Sequence, residues 1–188
     1  MKYTVKEAAD SAIKTVINRY PAAKLPPEGH FHYHQGVFLS GVEKVAEILN
    51  NGEYFRYIKD WVDAMSVPNG EIHCFNPGAL DDLQPGILLF GLLSRTHDEK
   101  YKLMLDKLTS LLPGWDMNAE GGYFHMTGMD NQMWLDGLYM GQPFYLEYET
   151  RFNNRKNYDD IFSQFKFVIE NMRNPLNGLY FHAMDTSR

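Results

Sequence analysis

Three copies of one pattern run along the sequence, and they constrain the fold more than any other feature. Each copy opens with a glycine and an apolar segment, then passes through a polar turn into an amphipathic segment. The opening glycines are Gly36, Gly86 and Gly137, so the period is about 50 residues. A period in this range is typical of architectures that stack similar units. We therefore expect a stack of helical hairpins, each pairing an inner apolar helix with an outer amphipathic helix.

The helix boundaries follow from hydrophobic periodicity and from the residues that start and stop helices. Thr4 and Glu7 form a capping-box pattern, which predicts a first amphipathic helix that ends before Pro21. The inward face predicted for this helix includes Val5 and Ile13. The inward face predicted for the last amphipathic helix consists of Tyr158, Ile161, Phe165 and Ile169.

Short segments of extended character separate each amphipathic segment from the next apolar one, and we call them rim segments. They are Gly70-Glu-Ile-His73, Gly122-Tyr-Phe-His125 and Gly178-Leu-Tyr-Phe-His182. Each is too short to form a sheet alone. We expect small strands or hairpins at one rim of the stack.

The inner apolar segments are nearly uncharged, so they need cover on both sides, and a ring of hairpins supplies it. A toroid of six hairpins needs roughly 300 residues at this period, whereas the chain has 188. We therefore expect an all-α, (α/α)6-toroid-like stack that is incomplete, with about three and a half of six hairpins. Residues 1–188 are expected to form a single domain, the N-terminal portion of an (α/α)6 barrel. An apolar edge left after the last repeat predicts self-association.

Composition excludes several classes of protein. The net charge of −6 provides no basic stripe for nucleic acid. Cys74 is the single cysteine, so neither a disulfide framework nor a cysteine-based metal site is expected. No apolar run reaches the ~18–20 residues of a membrane span, and the N-terminal residues show no signal-peptide core. These features predict a cytoplasmic protein that binds neither membranes nor nucleic acid, although a single cysteine is also compatible with export.

The segment Asn131–Tyr145 is apolar almost all the way round when wound as a helix, yet it carries Asp136 in its middle. Met133 and Met140 share the helix face of Asp136 in this arrangement. An ionised carboxylate is costly in apolar surroundings, which favours the protonated form that a general acid requires. A neighbouring histidine, arginine or amide would also satisfy the carboxylate, so a structural role stays open.

Polar residues gather at or just before the start of each inner segment, where their apolar followers begin. They are Tyr33, His34, Gln35, Asp81, Asp82, Gln84, Gln132, Trp134 and Asp136. The rim histidines His125 and His182 precede the same end. Because equivalent positions of successive repeats lie at one end of a ring, we expect these side chains at one mouth. Carboxylates beside a tryptophan suggest carbohydrate chemistry, since a sugar stacks its apolar face on an aromatic ring.

The sequence contains two other arrangements of reactive residues. His30, His32 and His34 could bind a metal, but this spacing lacks an HExxH motif or a nearby cysteine pair. His73 and Cys74 are adjacent, and neighbours in an extended segment point to opposite faces, which argues against a nucleophile–base pair.

Four segments of the chain resemble the pattern of glycoside hydrolase family 105. They are FHYHQGVF, ALDDLQPGILLF, GGYFH followed by QMWLDGLYMGQPF, and GLYFHAMDTSR, so the resemblance covers about residues 33–188. It implies an (α/α)6 barrel and an unsaturated rhamnogalacturonyl hydrolase that needs no metal or organic cofactor. Asp136 matches the acid/base residue of that family, and Asp81 matches its second aspartate, which would hold substrate hydroxyls or tune Asp136. The positions that match pocket-lining residues are Tyr33, His125, Trp134 and His182.

The chemistry implied by the resemblance is hydration of an alkene. The substrate is an oligosaccharide ending in a 4,5-unsaturated galacturonic acid linked to rhamnose. Protonation at C4 gives an oxocarbenium ion at C5, water adds there, and the resulting hemiketal opens and releases the neighbouring sugar. Met126, Met184 and the sequence GMDN depart from the family pattern at the pocket walls. Two alternatives stay open: an unsaturated glucuronyl hydrolase acting on glycosaminoglycan fragments, and a helical-repeat scaffold that binds without turnover.

Overall fold

The computed structural model describes residues 3–187, which fall into two compact units. The first unit contains the residues up to Phe75 together with Pro85–Met104. The second contains Asn76–Gln84 and the residues from Leu105 onward. Arg188, the last residue of the segments that resemble family 105, lies outside the described residues.

The helices of the first unit follow the predicted alternation. They are α1 (Val5–Arg19), α2 (Tyr33–Leu49), α3 (Gly52–Ala64) and α4 (Ile87–Thr96), and α5 (Glu99–Ser110) begins in this unit and continues into the second. Gly86 caps α4, as predicted. Helix α2 starts at Tyr33, before the glycine that was expected to open it. No helix among residues 3–187 combines the length and the apolar character that crossing a membrane requires.

The second unit holds two long helices and a two-stranded antiparallel sheet. Its elements are α6 (Gly137–Phe152), α7 (Tyr158–Asn171), β1 (Gln132–Trp134) and β2 (Ala183–Asp185), with Met133 opposite Met184. Pro143 lies inside α6. The expected all-α fold class is confirmed, because helices dominate both units and the strands have three residues each.

The rim segments are confirmed as short hairpins, but the repeat register differs by one residue in the second. Their bridges are Ser66–Ile72, Met117–Tyr123 and Arg173–Tyr180. The turn before each bridge uses a glycine with positive φ, at Gly70, Gly121 and Gly178. Only glycine adopts this conformation at little cost. The glycine of the second rim segment that corresponds to Gly70 is therefore Gly121, and the prediction of Gly122 was wrong.

The capping box at the start of α1 is confirmed. The Thr4 hydroxyl accepts a hydrogen bond from the Glu7 N–H, and the Glu7 carboxylate accepts one from the Thr4 N–H at 2.8 Å. The predicted inward face of α1 is wrong at Val5, which is 87% exposed, while Ile13 is buried. Val5 is the first residue of α1, at the end of the helix.

The buried face of α7 also differs from the prediction. Phe165 is 40% exposed and Ile169 57% exposed. The buried residues of α7 are Ile161, Gln164, Phe167 and Val168. Phe167 and Val168 pack in one cluster with Met133 of β1. The helix is rotated toward the small sheet, a partner that periodicity within α7 could not indicate.

Asp63 in α3 is the centre of a polar cluster in the first unit. Its carboxylate accepts hydrogen bonds from Lys59 Nζ at 2.5 Å, Lys100 Nζ at 2.6 Å and the Tyr101 hydroxyl at 2.8 Å. Burial acts to raise the pKa of Asp63, but these three hydrogen bonds outweigh burial and lower the pKa below its usual value. Asp63 is therefore ionised in the folded protein at neutral pH, and it joins α3 to the start of α5.

We expect the substitution Asp63→Asn to lower the free energy of unfolding by about 2 kcal/mol at neutral pH, because it weakens three charge-assisted hydrogen bonds. A lowered folded-state pKa contributes stability above the unfolded-state pKa, and this contribution is lost as pH falls through the folded value. The difference between wild type and variant should therefore shrink below about pH 4. Urea unfolding over a pH series measures it, with the exposed Asp60→Asn on the same helix as control. A difference that stays constant into acid would contradict this role for Asp63.

Candidate functional site

Asp136 lies at the start of α6, and its predicted place in the middle of a helix is wrong. Residues Gln132–Trp134 form β1 instead, and Asp136 is the N-cap of α6, with its carbonyl accepting from Met140 N–H at 3.0 Å. The reason is long-range pairing. The Leu135 N–H donates to the carbonyl of His182 at 2.7 Å, so the backbone before Asp136 is bonded to the third rim segment.

Asp136 therefore does not lie in the all-apolar helical surroundings that were predicted for it. The residue is half-buried, and its Oδ1 atom is enclosed without a hydrogen-bond partner in the part of the chain that the structure describes. It stands at the N-terminus of a 16-residue helix, where the macrodipole stabilises a negative charge. An enclosed carboxylate oxygen with unused bonding capacity is suited to meet a ligand atom.

Asp81 and His125 form a buried contact in the same unit. Asp81 lies in a single 3-10 turn, Leu80–Asp82, and its Oδ1 is 3.7 Å from His125 Nε2. The two side chains are 13% and 4% exposed. The Leu80 N–H also donates to the His125 carbonyl at 3.2 Å. Backbone and side chains therefore both hold the aspartate turn against the second rim segment.

Trp134 lies between the two rim histidines of this unit. Its indole stacks on the His125 imidazole with centroids 4.3 Å apart and an interplanar angle of 7°. The exposed His182 is tilted against it, at 5.2 Å and 57°. The indole N–H donates to Gln132 Oε1 at 3.2 Å. One face of the indole is thus covered by His125, which limits sugar stacking to the remaining surface.

Gly137 brings the start of α6 against His125. A Cβ atom at this position would lie 3.6 Å from His125 Nδ1 and 3.2 Å from Leu80 Cδ1. His125 Nδ1 is buried and has no hydrogen-bond partner among the described residues. An unpartnered ring nitrogen therefore faces the residue that directly follows Asp136.

The hydrogen bonds reveal that Asp81 and Asp136 are equivalent positions of successive repeats. Each follows a leucine whose N–H donates to the carbonyl of a rim histidine, His125 for Leu80 and His182 for Leu135. The two carboxylates are therefore placed by the same local construction. The sequence pattern grouped them at one mouth without recognising this equivalence.

The same bond occurs in the first unit, where Phe31 N–H donates to Cys74 O at 3.4 Å. His32 follows Phe31 as the two aspartates follow their leucines, and Cys74 corresponds to the rim histidines. Aligning His73 with those histidines was therefore wrong by one residue. The signal was present in the sequence, because Cys74, His125 and His182 each come four residues after the turn glycine.

Tyr33 belongs to the first unit, where it is the first residue of α2. Its ring stacks on His34 with centroids 4.1 Å apart and meets His32 edge-on at 4.6 Å. The other five predicted site residues belong to the second unit. The assignment of Tyr33 to the substrate pocket stays a prediction.

Within the described part of the chain, the predicted site residues line neither a metal-type cluster nor the cavity of the second unit. Among residues 3–187 no group of three or more His, Cys, Asp or Glu side chains is placed to hold a metal ion. A cavity of about 200 Å³ lies in the second unit, lined by Pro77, Gly78, Leu111, Gly114, Trp115, Asp116, Phe124 and Thr127. None of the predicted site residues lines it, so this cavity and the Asp81–His125–Trp134 cluster are separate features.

Comparison with known proteins confirms the family resemblance. The chain is similar to the unsaturated rhamnogalacturonyl hydrolase YesR of Bacillus subtilis (strain 168), with 24% identity over 182 residues, covering 94% of this chain and 52% of that protein. It is also similar to the structure of a glycoside hydrolase from family 105 of C. acetobutylicum ATCC 824. That match has a TM-score of 0.88 and 28% identity, and covers 98% of this chain and 50% of the other.

A possible family 105 member from Klebsiella pneumoniae subsp. pneumoniae MGH 78578 shares the fold, with a TM-score of 0.80 and 16% identity over 99% of this chain and 53% of that one. The fold of such family 105 proteins is an (α/α)6 toroid. The chain thus spans about half the length of the relatives that it matches. The family model described as Glycosyl Hydrolase Family 88 matches residues 5–188. With nearly its whole length matched, the chain belongs to Glycosyl Hydrolase Family 88.

Proposed function

We propose that the second unit supplies the proton-donating part of an active site that removes a 4,5-unsaturated uronic acid from an oligosaccharide. The observation that carries this proposal is the placement of Asp136, whose enclosed Oδ1 has no hydrogen-bond partner within residues 3–187. The residue after it lies against the His125 imidazole, which in turn contacts Asp81 and Trp134. Two carboxylates, an imidazole and an indole are the groups expected around a sugar.

The proposed reaction begins with proton transfer from the Asp136 carboxylic acid to C4 of the ring double bond. The positive charge that forms at C5 is shared with the ring oxygen. Water then adds to C5 and returns a proton to the Asp136 carboxylate. The resulting hemiketal opens to a ketone at C5, which leaves C1 as a hemiacetal that carries the freed ring oxygen as a hydroxyl. This hemiacetal collapses to an aldehyde as the C1–O bond to the neighbouring sugar breaks, and the glycosidic oxygen takes up the proton and leaves as that sugar's hydroxyl. The carboxylate formed in the first step lies at the N-terminus of α6, where the helix dipole stabilises it.

The other residues are assigned to binding. Asp81 is positioned by His125 to accept hydrogen bonds from substrate hydroxyls. Trp134 and His182 offer an aromatic surface and an exposed imidazole beside the start of α6.

We take the rhamnogalacturonan fragment as the substrate class, because the named activity of YesR supports it. An unsaturated glucuronyl hydrolase and a non-catalytic sugar-binding scaffold are the alternatives. Incubating the chain with lyase-digested rhamnogalacturonan and, separately, with lyase-digested glycosaminoglycan distinguishes all three. We expect the ultraviolet absorbance of the conjugated uronate to decay faster with the first substrate. Faster decay with the second would favour the glucuronyl enzyme, and saturable binding without decay would favour the scaffold.

An exposed apolar stripe on α7, formed by Phe162, Phe165 and Ile169, leads us to propose self-association. Met65 and Met172 are equivalent, because their carbonyls accept the hydrogen bond that closes the first and third rim hairpins. Val62 of α3 and Ile169 of α7 each lie three residues before these methionines, so they are equivalent as well. Val62 is fully buried, whereas Ile169 is 57% exposed. In the first unit α3 contacts the following hairpin, with Lys100 bound to Asp63.

The occupant we propose for the α7 stripe is a second copy of this chain, which carries a hairpin of the kind that contacts α3. Sedimentation velocity should show concentration-dependent association, and Ile169→Lys should reduce it. Ile48→Lys, which changes an isoleucine of 60% exposure on α2, is the matched control. A wild-type chain that stays monomeric at all concentrations would overturn the proposal.

A further inference from the structure

Gln164 is a fully buried polar residue of α7 that binds the backbone of the second rim segment with both ends of its amide. Its Oε1 accepts from the Tyr123 N–H at 2.8 Å, and its Nε2 donates to the Gly121 carbonyl at 2.9 Å. The exposure of the residue is 0%. A buried amide that satisfies two backbone groups of one short segment fixes that segment in place.

The rim segment depends on Gln164 because its own hairpin leaves these two groups unused. The hairpin bonds are Phe124 N–H to Asp116 O at 2.9 Å and Asn118 N–H to Gly122 O at 2.9 Å. The Gly121 carbonyl and the Tyr123 N–H alternate with these bonds and meet α7 instead. The Gln164 amide therefore acts as a substitute for a neighbouring strand.

A second contact from the same helix holds the Tyr123 side chain. Its hydroxyl donates to Asp160 Oδ2 at 2.5 Å, one helical turn before Gln164, and the ring is buried. Burial, and then the hydrogen bond to Asp160, raise the pKa of the Tyr123 hydroxyl, so it remains a donor. Helix α7 thus binds the backbone and the side chain of the residue that stands two positions before His125.

His125 is fixed from its other side by β1. The backbone N–H of His125 donates to the Gln132 carbonyl at 2.8 Å, and its imidazole ring lies nearly parallel to the Trp134 indole. The imidazole is therefore held between a segment bound to α7 and a strand that leads into Asp136. Displacing the α7 side of this arrangement changes the angle between imidazole and indole.

We propose that Gln164 is a positioning residue of the candidate site, setting His125 against Asp81 and Trp134 through the second rim segment. The inference deepens the proposed function and rests on it for its catalytic meaning. The placement of His125 itself is testable without substrate.

The test uses the ring current of Trp134. An imidazole stacked at 4.3 Å on an indole has its ring-proton resonances displaced upfield in the NMR spectrum. The His125 resonances are assigned by their loss in His125→Asn. Gln164→Met, which keeps the side-chain length and removes both hydrogen bonds to the second rim segment, should reduce the displacement by half or more. Gln164→Glu, which keeps an acceptor for the Tyr123 N–H, should give an intermediate value.

The control is Gln142→Met in α6. Gln142 is 2% exposed and its Oε1 has no hydrogen-bond partner among the residues described. This variant therefore changes a similarly buried glutamine that does not bind the rim segment. It should leave the His125 resonances unchanged. If Gln164→Met does not fold, as judged by circular dichroism, Gln164→Glu decides. If the His125 ring-proton resonances of the folded Gln164 variants are displaced upfield as far as those of the wild type, the inference is overturned.

Kinetics separate this inference from the proposed function. Where the wild-type chain turns over unsaturated uronate, Gln164→Met should lower kcat at least about 10-fold, as expected for a residue that orients a site group. Where the wild type shows no turnover, the proposed function fails. The NMR displacement still tests whether Gln164 positions His125.

Discussion

Replacing Asp136 with asparagine is expected to remove turnover of the unsaturated uronate while leaving the fold intact. Asparagine keeps the size and most of the polarity of the side chain but cannot donate a proton to carbon or accept one from the attacking water. General acid–base catalysis by one positioned group contributes roughly 10²–10⁴-fold. Because Asp136 is assigned both proton transfers, we expect a loss of about 10³-fold or more in kcat.

The measurement is the initial rate of absorbance loss with lyase-digested rhamnogalacturonan, with circular dichroism to verify the fold. Asp130→Asn is the matched control, since Asp130 is an exposed aspartate six positions earlier in the chain. It should leave the rate unchanged. Asp81→Asn should lose about 10–100-fold, as for a residue that binds and orients without transferring the proton. Retained turnover in a folded Asp136→Asn chain would refute the acid assignment.

Much of this site could be predicted because a repeat places residues by their position in the unit. Asp81 and Asp136 stand at the start of successive inner helices, so any ring of repeats brings them to the same end. The structure adds the hydrogen bonds that create this equivalence, from Leu80 and Leu135 to the rim histidine carbonyls. The contacts of His125 with Asp81 and Trp134 follow from the same register.

The features that could not be predicted depend on partners far away in the sequence. Strand β1 lies in a segment, Asn131–Tyr145, whose apolar residues follow a helical pattern. The strand forms because Met133 pairs with Met184, more than forty residues later. The buried face of α7 is set by packing on that strand, so Phe165 was assigned inward although it is exposed. Polar residues inside the second unit, such as Gln164, carry no local signal, because their partners are backbone groups of another segment.

Glu149 is the residue whose loss should destabilise the second unit most. It is fully buried in α6, and its carboxylate accepts from Asn153 Nδ2 at 2.8 Å and from Asn157 N–H and Nδ2 at 2.9 Å each. These bonds hold the turn between α6 and α7. Asn154 and Arg155 in this turn have φ of 50° and 63°, a left-handed conformation that costs energy for residues other than glycine.

We expect Glu149→Leu to lower the free energy of unfolding by about 3–4 kcal/mol, because it leaves three donors without an acceptor and removes the support of a strained turn. Urea unfolding followed by circular dichroism measures the change. The matched control is Glu147→Leu, two positions away on the same helix, where the glutamate pairs with Arg151 at the surface. A surface change of this kind should stay within about 0.5 kcal/mol. Because α7 also carries Gln164, Glu149→Leu should disturb the His125 resonances as well. Equal urea-unfolding midpoints for Glu149→Leu and Glu147→Leu would refute this account of the turn.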